Sequence, residues 1–470
     1  MKALIVGIFQ DLKTKSYTEI DTSLDGALTK FVDGTEKATD YKKITVITKE
    51  WQGYDTLYVV GLGKIADYDL NKHRLLIGQV IKNTHYEASV VLDSFVPEEI
   101  KLPSYAEVTA EAVDLAQRPH IHYKKEETPQ RKEVNILSSV DVVEAVNQGK
   151  LMAKSINVAR DLMNRPANYL TATDLANVIA DFAKSHHLEY KVLNKSHMEE
   201  LGMGGILGVN QGSTEEPKLI CVKFMNSPSK EVLALVGKGL TYDTGGYSMK
   251  TPTFMYGMHG DMGGASTVFG AFCGIVEAKL PVNVILAIPA TDNMVSADAI
   301  KPGDVLTTMN GTTVEVNNTD AEGRLILSDA LTYVTKLGAT RIIDAATLTG
   351  AVIRSLGEIT TGMFTNDNDF ASEFEQTANA SGESIWQLPI FEPEQKLLKT
   401  SEVADLKNCP EGPGAIIAAA FLKEFVEERV KWIHLDIAGS SETKKAHELG
   451  PAGATGAMVR TLINYAKTLV

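Results

Sequence analysis

The sequence predicts an α/β protein: a small N-terminal α/β domain, then a larger C-terminal α/β domain with a mixed central sheet flanked by helices. Three observations carry this. Apolar runs of strand length alternate with helix-period runs along the chain, as in sheets covered by helices. The texture changes near residue 150, where a long helical pattern begins. The 470 residues, 44% hydrophobic and 23% charged, suffice for two or three domains with a large core.

Over residues 1–150, strand-like runs include "KKITVITK", "DTLYVVGLG" and "ASVVLDSF", and "NKHRLLIGQVIKN" has helical spacing. "RPHIHYKKEETPQRKEVN" (118–135) is polar and Pro-containing, so a linker is expected over about 118–150. The second domain, 151–470, opens within the helical pattern "EAVNQGKLMAKSINVARDLMN", which "NRPAN" stops at Pro166. Buried strands are expected at "PKLICVKF", "VLALVGKG", "VNVILAIPA", "ATRIIDAAT" and "VKWIHLDIAG". Helices are expected at "GGASTVFGAFCGIVEAK" and "GRLILSDALTYVTKLG". There is no repeat of 20–50 residues and no low-complexity stretch.

Net charge is −14, which disfavours general nucleic-acid or membrane-surface binding. Cys221, Cys273 and Cys409 are odd in number and far apart, so neither a disulfide framework nor a cysteine zinc site is expected. The start, "MKALIVGIFQDLK", is too briefly apolar for a signal segment or membrane span. A soluble cytoplasmic protein is the expectation. There is no P-loop, GxGxxG after a strand, HExxH or GxSxG. His120/His122 and His186/His187 lie in polar contexts and read as solvated, and His434 reads as a satisfied core histidine.

The informative charges sit beside glycines at strand ends. "NNTDAEGRLILSDA" (317–330) carries Asp320, Glu322 and Arg324 before an apolar helical run. Acidic residues there commonly cap a helix. In an extended segment, however, alternate residues point the same way, and Gly323 permits close approach of the backbone. "VGKGLTYDTGGYSMK" (236–250) carries Lys238, Asp243 and Lys250, and "HGDMGGAS" (259–266) carries Asp261. Singly these read as a surface lysine, a turn residue and an N-cap. Together, at the strand ends where α/β sites form, they make a crowd of four carboxylates. Such a crowd needs compensation, which two divalent cations such as Mn²⁺, Zn²⁺ or Mg²⁺ would supply. The chemistry indicated is two-metal hydrolysis, with Lys250 and Arg324 left to polarise or position a reacting group.

The unbroken NTDAEGR at 318–324 resembles the signature of the leucyl aminopeptidase family, the cytosolic two-metal exopeptidases. "GKGLTYDTGGYSMK", "DMGGA", "ATLTGA", "ARDLMNRPAN" and "HLDIAG" follow in family order, so the resemblance covers about 150–470. It implies that Lys238, Asp243, Asp261, Asp320 and Glu322 ligate two metal ions, Lys238 as a neutral amine. It implies that Lys250 polarises the scissile carbonyl and that Arg324 holds a bicarbonate acting as general base. It further implies a pocket for the first side chain lined by Met258, Thr347, Gly350, Ala438 and Ser441, a homohexamer, and peptide substrates cleaved at the N-terminus. His259, Thr251, Tyr242, Tyr247 and Met249 depart from the usual family residues. Ser441 stands where some leucine-preferring relatives have Met, so a broader preference is expected. A two-metal phosphoesterase would want more Arg or His than Arg324 alone. An accessory DNA-binding role, known in some relatives, is disfavoured by the acidic balance.

Overall fold

The computed structural model describes residues 2–121, 123–125 and 130–470. His122 therefore lies outside the described residues. The chain divides into two compact units, 1–154 with 445–452, and 155–444 with 453–470. Both are α/β, and the main sheet of each is mixed.

The first unit holds β1 (Lys2–Phe9), β2 (Ile44–Trp51), β3 (Tyr54–Gly63), β4 (Glu87–Val91) and β5 (Val134–Leu137), ordered β2-β3-β1-β4-β5. Only β2 runs antiparallel to its neighbour. β1 is buried over seven of its eight residues, as a central parallel strand must be. β5 corrects the sequence reading: the end of the polar stretch at 134–137 forms an edge strand on β4. Its alternating exposure is that of a strand with one solvated face, a pattern too short to stand out. The segment 445–452 joins this unit through Lys42 and Glu448, 2.5 Å apart, and through Lys82, which donates to the Gly450 carbonyl at 2.6 Å.

The second unit carries β6 (Glu189–Leu193), β7 (Lys218–Met225), β8 (Leu233–Gly237), β9 (Gly239–Asp243) and β10 (Asn283–Asn293). Next come the short β11 (Val305–Thr307) and β12 (Thr313–Glu315), then β13 (Arg341–Ala346), β14 (Thr361–Thr365) and β15 (Ile385–Gln387). β16 (Leu406–Lys407) and β17 (Lys431–Asp436) follow. The large sheet runs β15-β14-β17-β13-β8-β10-β7-β6, with β9 also on β10. Its centre, β17-β13-β8-β10, is parallel. These strands are almost wholly buried, which is why they read as continuous apolar runs. Helices Gly263–Glu277 and Gly323–Lys336, both expected from the sequence, cover the sheet and are buried along nearly their whole length. Among the described residues no helix is long and apolar enough to cross a membrane.

Candidate metal centre

The parallel strands end on one side, and the charged residues collect there. β8 and β9 both pair in parallel with β10, and Lys238 is the single residue between them. Its N–H still donates to strand β13 at Ala345 O, 3.0 Å away, while its carbonyl leaves the sheet and accepts from Ala265 N of helix Gly263–Glu277 at 2.9 Å. Asp243 ends β9. Asp261 lies in the 3-10 turn Met258–Met262, just before helix Gly263–Glu277. Asp320 and Glu322 come from the turn that enters helix Gly323–Lys336.

The site is a double ion-pair cluster. Lys238 Nζ is 2.8 Å from Asp261 and 3.0 Å from Glu322, and Lys250 Nζ is 2.7 Å from Asp243 and 2.5 Å from Asp320. Carboxylate oxygens of Asp243, Asp320 and Glu322 lie within 4.8 Å of one another. Neutral donors fix them. Asp243 Oδ1 accepts from Gly245 N at 2.8 Å and from Asn293 Nδ2 at 2.9 Å. Thr347 Oγ1 donates to Asp261 at 2.7 Å, and Lys238 Nζ donates to the Thr347 carbonyl at 3.2 Å. Thr319 ties the two loops, donating to Gly245 O at 2.7 Å and accepting from Ser248 N at 2.8 Å.

Four carboxylates face two ammoniums here, so two negative charges are left over in a mostly buried place. The electrostatics register this. Burial, then Glu322 and Asp261, pushes Asp243 up to about 8 against the pull of both lysines. Burial pushes Asp261 up to about 6 although Lys238 opposes it, and burial raises Asp320 too. Glu322 is the exception: burial opposes its charge, but Lys238 and Lys250 hold it below the usual range. Burial likewise opposes the charge on Lys238, yet Asp261, Glu322 and Asp243 outweigh it and raise the lysine. Binding through a neutral amine thus requires cations that take up this carboxylate charge.

The residues fit such cations. Glu322 Oε2 is buried with no hydrogen-bond partner, though a buried carboxylate oxygen ordinarily has one. The donor set is oxygen-rich with one amine, which suits hard or borderline divalent ions. Arg324 has the complementary feature. Its Nη1 donates to Asn408 O at 2.7 Å while its Nε is buried without a partner, ready for an anion. Burial holds the guanidinium below its ordinary value.

Each residue singled out in the sequence has a place. Lys238, Asp243, Asp261, Asp320, Glu322 and Lys250 are brought together. Arg324, the second residue of helix Gly323–Lys336, is in contact with the Asn408 loop. The segment 318–322 is a turn and not an extended segment, because Asn408 Nδ2 donates to Asn318 O and Ala321 O and holds it bent. Glu322 does occupy the N-cap position, but its carboxylate makes no capping bond and turns to Lys238. Asp243 both makes the Asx turn to Gly245 and meets Lys250. Thr347, Ala438 and the start of helix Gly350–Leu356 are organised by buried Asp436. It accepts from Leu348 N, Thr349 N and Ala438 N, at 3.2, 3.4 and 3.3 Å. Gly350 faces open space, Met258 opens the turn that carries Asp261, and Ser441 is buried with its N–H on Ile437 O. His434 is a core residue, but not the satisfied one expected: its Nδ1 pairs with Asp344 at 2.6 Å while its Nε2 is buried without a partner. The cysteines are free. The sequence reading missed Asn293, Thr319, Asn408 and Asp436. Asn293 and Asp436 end apolar runs, the same signal that marked Asp243.

Comparison with known proteins follows the same division. The model of the cytosol aminopeptidase family, catalytic domain, matches residues 157–463, and that of the family's N-terminal domain matches 5–127. Among solved structures, a mutant of tomato leucine aminopeptidase is 31% identical with a TM-score of 0.87, over 99% of this chain and 93% of that one. The bottromycin maturation enzyme BotP in complex with Mn is 29% identical, TM-score 0.87, over 99% of each chain. The cytosol aminopeptidase of Coxiella burnetii is 28% identical, TM-score 0.86, over 100% of this chain and 97% of that one.

Proposed function

The chain belongs to the cytosol aminopeptidase family, and from that premise we propose that it removes N-terminal residues, leucine among them, from unblocked peptides. The residues proposed to hold two divalent ions, Mn²⁺ or Zn²⁺, are Lys238, Asp243, Asp261, Asp320 and Glu322. The observation that carries this reading is the excess of buried carboxylate charge with the orphaned Glu322 Oε2. The Mn complex of BotP supports manganese as one occupant. When bound, such ions supply Lewis acidity and activated water.

The protein's own groups perform the rest. Lys250, held between Asp243 and Asp320, keeps its charge and is 16% exposed in its side chain, so it can donate to a carbonyl oxygen as negative charge develops there. Water adds to the scissile carbonyl, the C–N bond breaks, and the leaving amine takes a proton. The free Nε of Arg324 is suited to orient a small anion such as bicarbonate, proposed here as the proton carrier. The family resemblance also supports a homohexamer in the cytoplasm, which solution mass would test.

Metal-stripped protein assayed on leucinamide and on unblocked peptides, with single metals added back, tests the reading. Hydrolysis that needs no metal rejects it. The likeness to BotP favours a second reading, a dedicated maturing peptide as substrate. A panel of unrelated peptides separates the two, since a dedicated enzyme would leave most of them intact.

A further inference from the structure

Asp436 ends β17 and is 1% exposed. It pairs in register with Ala346, the last residue of β13, so it stands where the neighbouring chain leaves the sheet. A buried carboxylate costs free energy unless donors surround it. Asp436 has four. Its Oδ1 accepts from Leu348 N at 3.2 Å, Thr349 N at 3.4 Å and Ala438 N at 3.3 Å, and its Oδ2 accepts from Thr349 Oγ1 at 2.7 Å. Burial raises the carboxyl, and His434 together with these donors opposes the rise.

Two of the donors are backbone groups that no regular element serves. β13 stops at Ala346 and the next helix starts at Gly350, so residues 347–349 belong to neither ladder nor helix. Side chains hold them instead. Asp436 binds Leu348 and Thr349. Thr347 Oγ1 donates to Asp261 at 2.7 Å, and the Thr347 carbonyl accepts from Lys238 Nζ at 3.2 Å. Thr349 Oγ1 also accepts from Val352 N at 3.1 Å, which fixes the start of the helix. Asp261 and Lys238 are two of the five proposed metal ligands. The residue that meets both is joined by one peptide bond to the first residue that Asp436 holds. An apolar side chain would end β17 without the cost of burying a carboxylate, but it could not fasten this loop.

We propose that Asp436 is a positioning residue for the metal centre: by holding Leu348 and Thr349 it fixes Thr347, and Thr347 in turn fixes Asp261 and Lys238. The inference rests on the two-metal reading and deepens it. Groups that orient a metal ligand from behind typically govern about tenfold to a hundredfold in metal affinity. Because Asp436 acts through Thr347, its effect and that of Thr347 are not independent, and independent effects alone multiply.

The test is a calorimetric titration of chelator-stripped protein with Mn²⁺ in the wild type, Asp436→Ala, Thr347→Val and the double variant. Asp436→Ala should raise the Kd of one of the two ions by about tenfold or more. The double variant should bind about as weakly as Asp436→Ala alone. A wild-type Kd in Asp436→Ala, or a double variant in which the two effects multiply, would overturn the proposal. A merely structural Asp436 gives that second result, with a lowered melting temperature in the metal-free protein. If Asp436→Ala does not fold, Thr349→Val replaces it in the same cycle, since it removes the donor at 2.7 Å and keeps the backbone N–H. A smaller rise in Kd that again does not multiply with Thr347→Val is then expected, and no rise or a multiplied one overturns the proposal. Wild-type protein that takes up no Mn²⁺ overturns the two-metal reading as well, whereas two ions bound equally well by wild type and variant overturn this inference alone.

Discussion

Gly323 lies against the side chain of Lys238 so closely that a Cβ on it would stand 2.5 Å from Lys238 Cε and 2.8 Å from Nζ. This is the physical reason for glycine between Glu322 and Arg324. The helix must begin where the lysine passes, and the lysine cannot swing aside because Asp261 and Glu322 hold its Nζ.

Gly323→Ala should therefore displace Lys238 and leave the buried fold in place. A misplacement of about 1 Å at a reacting centre costs on the order of a hundredfold in rate. The expected result is a large loss of kcat/KM and of metal affinity, with a far-UV spectrum like that of the wild type.

Lys250→Ala should lower kcat by a hundredfold or more with little change in KM, the usual order for loss of one oxyanion donor. The geometry adds a second expectation. Without Lys250, Asp243 and Asp320 lose their shared cation, so the metal-free variant should be less stable than the metal-free wild type. Steady-state kinetics and thermal melts of chelated samples read the two effects separately.

Thr347→Val should weaken metal binding about tenfold, within the range for loss of a hydrogen bond to a ligating carboxylate. Thr347 Oγ1 donates to Asp261 at 2.7 Å, and its carbonyl accepts from Lys238, a bond that valine keeps. Calorimetric titration of stripped protein would show a raised Kd with unchanged stoichiometry.

The first unit has its own pH dependence. His73 is fully buried, between Tyr68 OH at 2.8 Å from Nδ1 and Thr109 Oγ1 at 2.7 Å from Nε2. Burial, with Arg74 adding to it, lowers its pKa from 6.5 to about 3. The unfolded chain then binds more protons than the folded one between those values. Its stabilising contribution is present above 6.5 and is lost as pH falls toward 3. By pH 5 the loss is about 2 kcal/mol. Denaturant melts at pH 7 and pH 5 should show a smaller difference in His73→Gln than in the wild type.

Much of this was legible in the sequence because parallel strands buried on both faces are written as unbroken apolar runs, and charges that end such runs stand out. Lys238 and Asp243 were found in this way, and Asp261 by the glycines that flank it before an apolar helix. Short elements were not. β5 and the three-residue strands β11, β12 and β15 are too short for periodicity to show. The bent form of 318–322 was hidden for a different reason. Asn408, nearly ninety residues later, holds the turn, and a neutral amide in a polar loop carries no local signal. Asp436 ended a recognisable strand, but its role rests on the backbone N–H groups of a loop from another strand.

In the proposed function, four carboxylates and Lys238 hold two divalent ions that hydrolysis needs. The most direct measurement titrates chelator-stripped protein with Mn²⁺ while following bound metal and leucinamide turnover together, in the wild type and in Asp320→Ala. Turnover should start from near zero and reach its plateau at two ions per chain, with Asp320→Ala binding fewer and staying slow. Full turnover without metal, or an Asp320→Ala protein with wild-type stoichiometry and rate, would contradict it.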